Sequence, residues 1–114
     1  MYHCFGMVMG NLGALCHGAS VVYPAPSFDA AKTLQALHQE KCTSVFAVPT
    51  MFIQMVKEHG AAAPIPFLRT GLMAGSSCPE KLMLQVHHCA MYCCLLCCYV
   101  HVRVYLIMAA LHFS

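Results

Sequence analysis

Ser44-Val45-Phe46-Ala47-Val48-Pro49-Thr50 and Leu68-Arg69-Thr70-Gly71-Leu72-Met73-Ala74-Gly75-Ser76-Ser77-Cys78-Pro79 decide the fold. The first begins as a β-branched and aromatic run, which reads as a strand. Pro49 stops it, and Thr50 is placed to cap a helix that runs to about His59, with Gly60 at its end. Residues 61–66, Ala-Ala-Ala-Pro-Ile-Pro, read as a loop. Leu68 to Met73 form the next predicted strand, and Ala74 to Cys78 a turn of small residues. Pro79 and Glu80 suit the first turn of a helix directed toward His88.

The same alternation extends toward the N-terminus. Residues 7–17 are apolar and include Gly10 and Gly13, small positions that would let a helix lie close to a sheet; Gly18 is placed to end that helix. Ala19-Ser20-Val21-Val22-Tyr23 predicts a short strand closed by Pro24 and Pro26. Ser27 is the expected N-cap of a further helix, with Asp29 in its first turn. Ala30, Ala31, Leu34, Leu37 and His38 then recur at helical spacing, while Lys32, Gln35, Gln39 and Glu40 fall mostly on the other side. Helices alternating with strands predict parallel strands joined by right-handed crossovers, hence an α/β layer fold: a partial sheet of mainly parallel strands flanked by helices.

Composition narrows what such a fold can be. The 114 residues are 60% hydrophobic and 9% charged, whereas soluble domains average about 25% charged. The chain is therefore either membrane-associated or part of a larger core. Six basic and four acidic residues give a formal charge of +2 with no basic cluster, which argues against nucleic-acid binding. Met1 is followed at once by Tyr2-His3-Cys4-Phe5-Gly6, with neither a basic n-region nor an amphipathic Arg/Ser stretch, so no targeting peptide is expected in this chain.

Nine cysteines would suit a disulfide scaffold only if spread through a polar, loop-rich chain. Cys4, Cys16, Cys42 and Cys78 are scattered singly and read as small apolar residues in a reducing compartment, while Cys89, Cys93, Cys94, Cys97 and Cys98 crowd together. That cluster opens an apolar run from Cys89 to Leu111 whose one permanent charge is Arg103. The run has neither turn punctuation nor polar alternation, so the strand–helix pattern is expected to end near residue 88. Three readings stay open for it. It offers a membrane contact through 89–111, weakened by a mid-run Arg and helped if the cysteines are acylated. It offers a metal knuckle with His87, His88 and His101. The reading favoured by the abrupt change of character is a tail created by altered splicing or a shifted reading frame.

Three segments could carry chemistry. In Tyr2-His3-Cys4-Phe5-Gly6 a histidine tip, an aromatic wall and a glycine sit together; as a bare pattern this is equally a strand end with a satisfied histidine. In Met73-Ala74-Gly75-Ser76-Ser77-Cys78-Pro79 small residues after a strand expose backbone N–H groups, although an ordinary strand-to-helix turn has the same composition. Val48-Pro49-Thr50 reads as scaffold. His17, His38 and His59 fall at helix ends or on a helix face and read as structural. With Asp29 the one aspartate, no Ser/His/Asp constellation can be built.

Taken in order, the three segments resemble the middle of an adenylate-forming (AMP-binding) enzyme, closest to the acyl-CoA synthetases of the medium-chain fatty acid–CoA ligase type. The likeness runs from about Tyr2 to Leu84. It implies a fragment of the family's N-terminal α/β domain over residues 1–88, followed by a hydrophobic Cys-rich tail, 89–114, outside the family pattern. It implies that His3, Phe5 and Gly6 line the acyl pocket. It also implies that Ala74, Gly75, Ser76, Ser77, Cys78 and Pro79 contact the nucleotide, Ser76 and Ser77 standing where relatives often carry Gly. The parent activity is then ATP-dependent conversion of a fatty acid to acyl-AMP and on to acyl-CoA, with ATP/Mg2+ and CoA as co-substrates and a mitochondrial location by analogy. The family's phosphate loop, Tyr-Gly-x-Thr-Glu segment, ribose-binding aspartate and lysine-bearing C-terminal domain have no counterpart here, so no catalytic residue is assigned and the chain alone is expected to be inactive. Association with the full-length enzyme through an open sheet edge follows as a further expectation.

Overall fold

The structure is a computed structural model that describes residues 3–89 and the backbone of residues 94–97. A π-helical segment, Phe5–Leu12, continues directly into α1, Gly13–Cys16; α2 (Ala30–Gln39), β1 (Ser44–Ala47), α3 (Pro49–His59), β2 (Thr70–Met73), α4 (Glu80–Cys89) and β3 (Cys94–Cys97) follow. The strands form one sheet in the order β1-β2-β3, both neighbours parallel. The register sets Ser44 beside Thr70, Phe46 beside Leu72 and Thr70 beside Cys94. This is the α/β arrangement expected from the sequence.

Strand order equal to chain order has a geometric consequence. Two crossovers of one hand that step the same way across a sheet lay their helices on the same face. Accordingly α2 packs on α3 and α3 on α4. The core lies between those helices and the sheet: Val45 and Ala47 of β1 and Met73 of β2 meet Leu37, Phe52, Met55, Leu82 and Val86, all buried.

Local chemistry explains the element ends. α2 is capped by Asp29 rather than Ser27: its Oδ1 accepts from the backbone N–H of Lys32 at 3.0 Å, and its other oxygen lies 3.7 Å from the Lys32 ammonium. A carboxylate at the N-cap reaches the third helical N–H and opposes the positive end of the helix, which no residue two positions earlier can do. Asp29→Ala is expected to cost about 1 kcal/mol and Asp29→Asn less, read from urea unfolding midpoints. α3 starts without a side-chain cap; Val48 is the cap residue and Pro49, whose missing N–H costs nothing at a first helical position, replaces the expected role of Thr50. Gly18, at φ 68°, closes α1 as expected: its N–H bonds Leu15 O and the Ala19 N–H bonds Ala14 O, which satisfies two carbonyls of the last turn. Lys41 enters β1 at φ 51° and carries its ammonium 5.7 Å over the Phe67 ring.

Four further expectations are corrected. Residues 19–23 form no strand, and Val21, Val22 and Tyr23 are exposed. A strand is held by its ladder, and the described sheet does not reach this segment. Tyr23 Oη instead donates to Asn11 Oδ1. The glycines of the first helix mediate no close packing: a Cβ at Gly10 would meet nothing, one at Gly13 only the Val8 carbonyl at 3.6 Å, and no residue of Phe5–Leu12 is buried. The strand predicted from Leu68 begins at Thr70, and the preceding loop supplies core through Ile65 and Leu68, with Ile65 N–H donating to Cys89 O at 3.0 Å. Finally, the alternation does not stop at residue 88, because Cys94–Cys97 adds a third parallel strand. A continuous apolar run suits a strand buried on both faces as well as any other apolar element. Beyond Cys89 and these four backbone positions, the 89–111 segment lies outside the described residues, as do Cys93, Cys98 and the side chains of Cys94 and Cys97.

Candidate functional site

In open parallel sheets ligands gather beyond the C-terminal ends of the strands. Ala74 to Pro79 occupy that place after β2, between Met73 and the start of α4. Ala74 is buried, Gly75, Ser76, Ser77 and Pro79 are exposed, and Cys78 is half-buried. Gly75 holds φ 95°, a conformation that L side chains rarely adopt. A Cβ there would lie 3.1 Å from Val48 Cγ1, so the glycine also lets the loop close onto the end of β1. The Cys78 thiol reaches back to the carbonyls of Met73 and Ser76, both at 3.6 Å, and draws the loop into a tight turn. Leu82 and Met83 N–H groups bond Pro79 O, which starts α4, with Glu80 in its first turn. The structure thus brings Val48-Pro49 and Ala74–Pro79 together, and presents two serine hydroxyls and glycine backbone to solvent above them.

The N-terminal segment is built separately. His3 is exposed, and its Nδ1 accepts from the Phe5 backbone N–H at 3.1 Å and lies 3.7 Å from Cys4 Sγ. Phe5 and Gly6 are half-buried at the start of the π-helical segment, which runs on into α1. The recorded hydrogen bonds of His3 join it to its own turn, not to the Ala74–Pro79 loop.

Two features escaped the sequence reading. His59, at the end of α3, turns a buried Nε2 without a hydrogen-bond partner into an apolar cavity bounded by Leu34, Phe52, Leu68 and Cys89. Its place at a helix end was readable; its burial depends on Ile65 and α4 folding over it. Second, the thiols differ. Burial pushes Cys42 above the ordinary 9.0, with the Glu40 carboxylate adding to the rise, and burial pushes Cys89 up as well. A higher pKa leaves less thiolate, so at pH 8 iodoacetamide should alkylate exposed Cys4 and Cys16 before Cys42 and Cys89, as followed by peptide mass mapping. The linked stability has the same sign. These neutral thiols favour the folded state below pH 9.0, and that contribution is lost as pH rises through their folded pKa.

Among the described residues no three His, Cys, Asp or Glu side chains converge to hold a metal ion, and no helix is long and apolar enough to cross a membrane.

Comparison with known proteins agrees with this placement of elements. Residues 1–99 match the AMP-binding enzyme family. The acyl-CoA ligase sidI of Beauveria bassiana is 45% identical over 84 residues, 73% of this chain and 15% of the relative. The mitochondrial medium-chain acyl-CoA ligase ACSF2 of Danio rerio is 37% identical over 87 residues, 75% of this chain and 14% of that protein. The N-terminal domain of FACL13 from Mycobacterium tuberculosis, solved with an inhibitor, superposes with a TM-score of 0.56 at 24% identity, over 68% of this chain and 19% of that one. The chain thus spans about 15% of the length of the curated relatives it matches.

Proposed function

This chain belongs to the AMP-binding enzyme family, and on that premise we propose that it is part of an acyl-CoA ligase which activates a medium-chain fatty acid. The observation that carries the proposal is the family match over residues 1–99, joined to relatives that are acyl-CoA ligases. In the parent reaction the fatty-acid carboxylate attacks the α-phosphate of ATP. Pyrophosphate leaves and acyl-AMP forms. The thiol of CoA then attacks the acyl carbon, AMP departs with the electron pair of the broken C–O bond, and the thioester remains.

The residues of this chain serve binding in that scheme. Ala74 to Pro79 lie against the adenosine half of the adenylate; the exposed hydroxyls of Ser76 and Ser77 and the bare backbone at Gly75 suit a flat polar ligand. His3, Phe5 and Gly6 form a wall of the acyl pocket once the rest of the domain is present. The developing charge on the phosphates needs cations and oriented donors, and none of the loop residues 74–79 is charged. Those groups, Mg2+ included, come from the remainder of the parent. A mitochondrial location is proposed for that parent, following the ACSF2 relatives.

Supplied with ATP, CoA and octanoate, the purified chain is expected to form no octanoyl-CoA above background, while an intact relative does so in the same assay, both followed by mass spectrometry. Turnover by the chain itself would overturn the proposal that its residues only bind.

A further inference from the structure

The loop after β2 is held from within by one of its own side chains. Met73 is wholly buried, so its carbonyl, at the end of the strand, needs partners inside the protein. The Cys78 thiol, five residues on, is one of them at 3.6 Å, and it stands equally far from the Ser76 carbonyl. The first bond ties the end of the loop to its beginning. The second fixes a peptide group on its exposed limb. Cys78 is itself anchored, because it packs against the core cluster. Between the tied points Gly75 closes onto Val48 at φ 95°. The Cys78 thiol is thus turned to the loop's own backbone, and Ala74 is buried. Gly75, Ser76 and Ser77 form the exposed limb.

We propose that Cys78 is a positioning residue: by bonding the Met73 and Ser76 carbonyls, its thiol holds Gly75, Ser76 and Ser77 in the arrangement that receives the nucleotide, and does not touch the nucleotide itself. The inference rests on the nucleotide reading of Ala74–Pro79 and narrows the contact to the three exposed residues. A loop that must order itself on binding loses affinity to that ordering, and a loop ordered beforehand does not. A thiol is a weak donor, and here one proton is shared between two carbonyls. Plain packing against the core is therefore the role to be separated from positioning. The two differ in what they require at position 78: positioning needs a donor, packing needs a volume. Serine keeps a donor, on a shorter bond. Valine keeps the bulk and has no side-chain proton to give.

The test uses the full 114-residue chain, isotope-labelled for NMR, as wild type, Cys78→Ser and Cys78→Val. Cys78→Ala is a second donor-free variant, for the case that valine disturbs the start of α4. Backbone order parameters of Gly75, Ser76 and Ser77 should stand at about 0.85 in wild type and Cys78→Ser, and fall below about 0.6 in Cys78→Val and Cys78→Ala. AMP, titrated into each chain and followed by the shifts of the same three amides, should bind Cys78→Ser within about two-fold of wild type. It should bind Cys78→Val at least about three-fold more weakly. A loop as ordered in both donor-free variants as in wild type overturns the proposal. So does a loop as disordered in Cys78→Ser as in Cys78→Val, which assigns the side chain to packing. AMP affinity that survives a disordered loop overturns it as well. The nucleotide reading fails differently: a wild-type loop that is ordered, yet shows no response to AMP, counts against that reading and leaves the thiol as the tether of the loop.

Discussion

Gly75→Ala is expected to lower the stability of the folded unit by about 1–3 kcal/mol, with Gly75→Val at the upper end or beyond. Two costs combine. At φ 95° any L residue is strained, and a non-glycine held in such a region typically costs about 1–3 kcal/mol. The added Cβ also arrives 3.1 Å from Val48 Cγ1. The double variant Gly75→Ala/Val48→Ala tells them apart, because it removes the steric part and keeps the dihedral part. Urea midpoints for the wild type, both single variants and the pair should therefore show positive coupling. A Gly75→Ala chain within about 0.5 kcal/mol of wild type would show that the loop does not need its glycine. On the proposed nucleotide-binding role of Ala74–Pro79, the same change at the matching position of an intact ligase should weaken nucleotide binding more than acyl binding.

Phe52→Ala is expected to abolish cooperative unfolding altogether. Phe52 is 2% exposed, on the side of α3 that meets the sheet. Truncating a buried Phe to Ala typically costs about 3–5 kcal/mol in lost burial and residual cavity. Domains are stable by about 5–15 kcal/mol in total, and small ones sit at the low end. The loss is therefore comparable to the whole margin. Far-UV circular dichroism against urea should show a sloping baseline for Phe52→Ala and a sigmoid for wild type. The control is Phe46→Ala, the same chemical change at a 42% exposed ring on the other sheet face, expected to stay within about 0.5 kcal/mol. Equal effects at the two positions would contradict the assignment of one face to the core.

What the sequence disclosed follows from which forces are local. β1, β2 and the three helices packed on the sheet were legible because alternation, helical spacing and Pro/Gly punctuation act over a few residues. Residues 19–23 have the composition of a strand, yet a strand exists only where a partner completes its hydrogen bonds, and composition does not report the partner. Cys94–Cys97 failed in the opposite sense: a continuous apolar run looks alike whether it pairs beside β2 or not. Ile65, between two prolines, reads as loop and packs as core. At the candidate site, the place of Ala74–Pro79 was legible from the strand before it and the proline after it. The reason Gly75 must be glycine was not, because Val48 becomes its neighbour only when the two strands pair in register.

The strand order bears on how the unit is made. Because β1, β2 and β3 lie in the sheet as they lie in the chain, no strand has to be threaded between two that are already paired. A ribosome releasing the chain from its N-terminus lets β1 and β2 join across α3 while β3 is still unsynthesised, and each later strand adds at the margin. Such growth avoids topological rearrangement, but it keeps one strand margin unsaturated at every stage of synthesis, and unpaired margins are where nascent chains stick to one another. Parallel pairing, which joins residues as distant as Ser44 and Thr70, is also slow to close. The interval between emergence of β2 and capture of β3 is therefore one in which the β2 margin stands open.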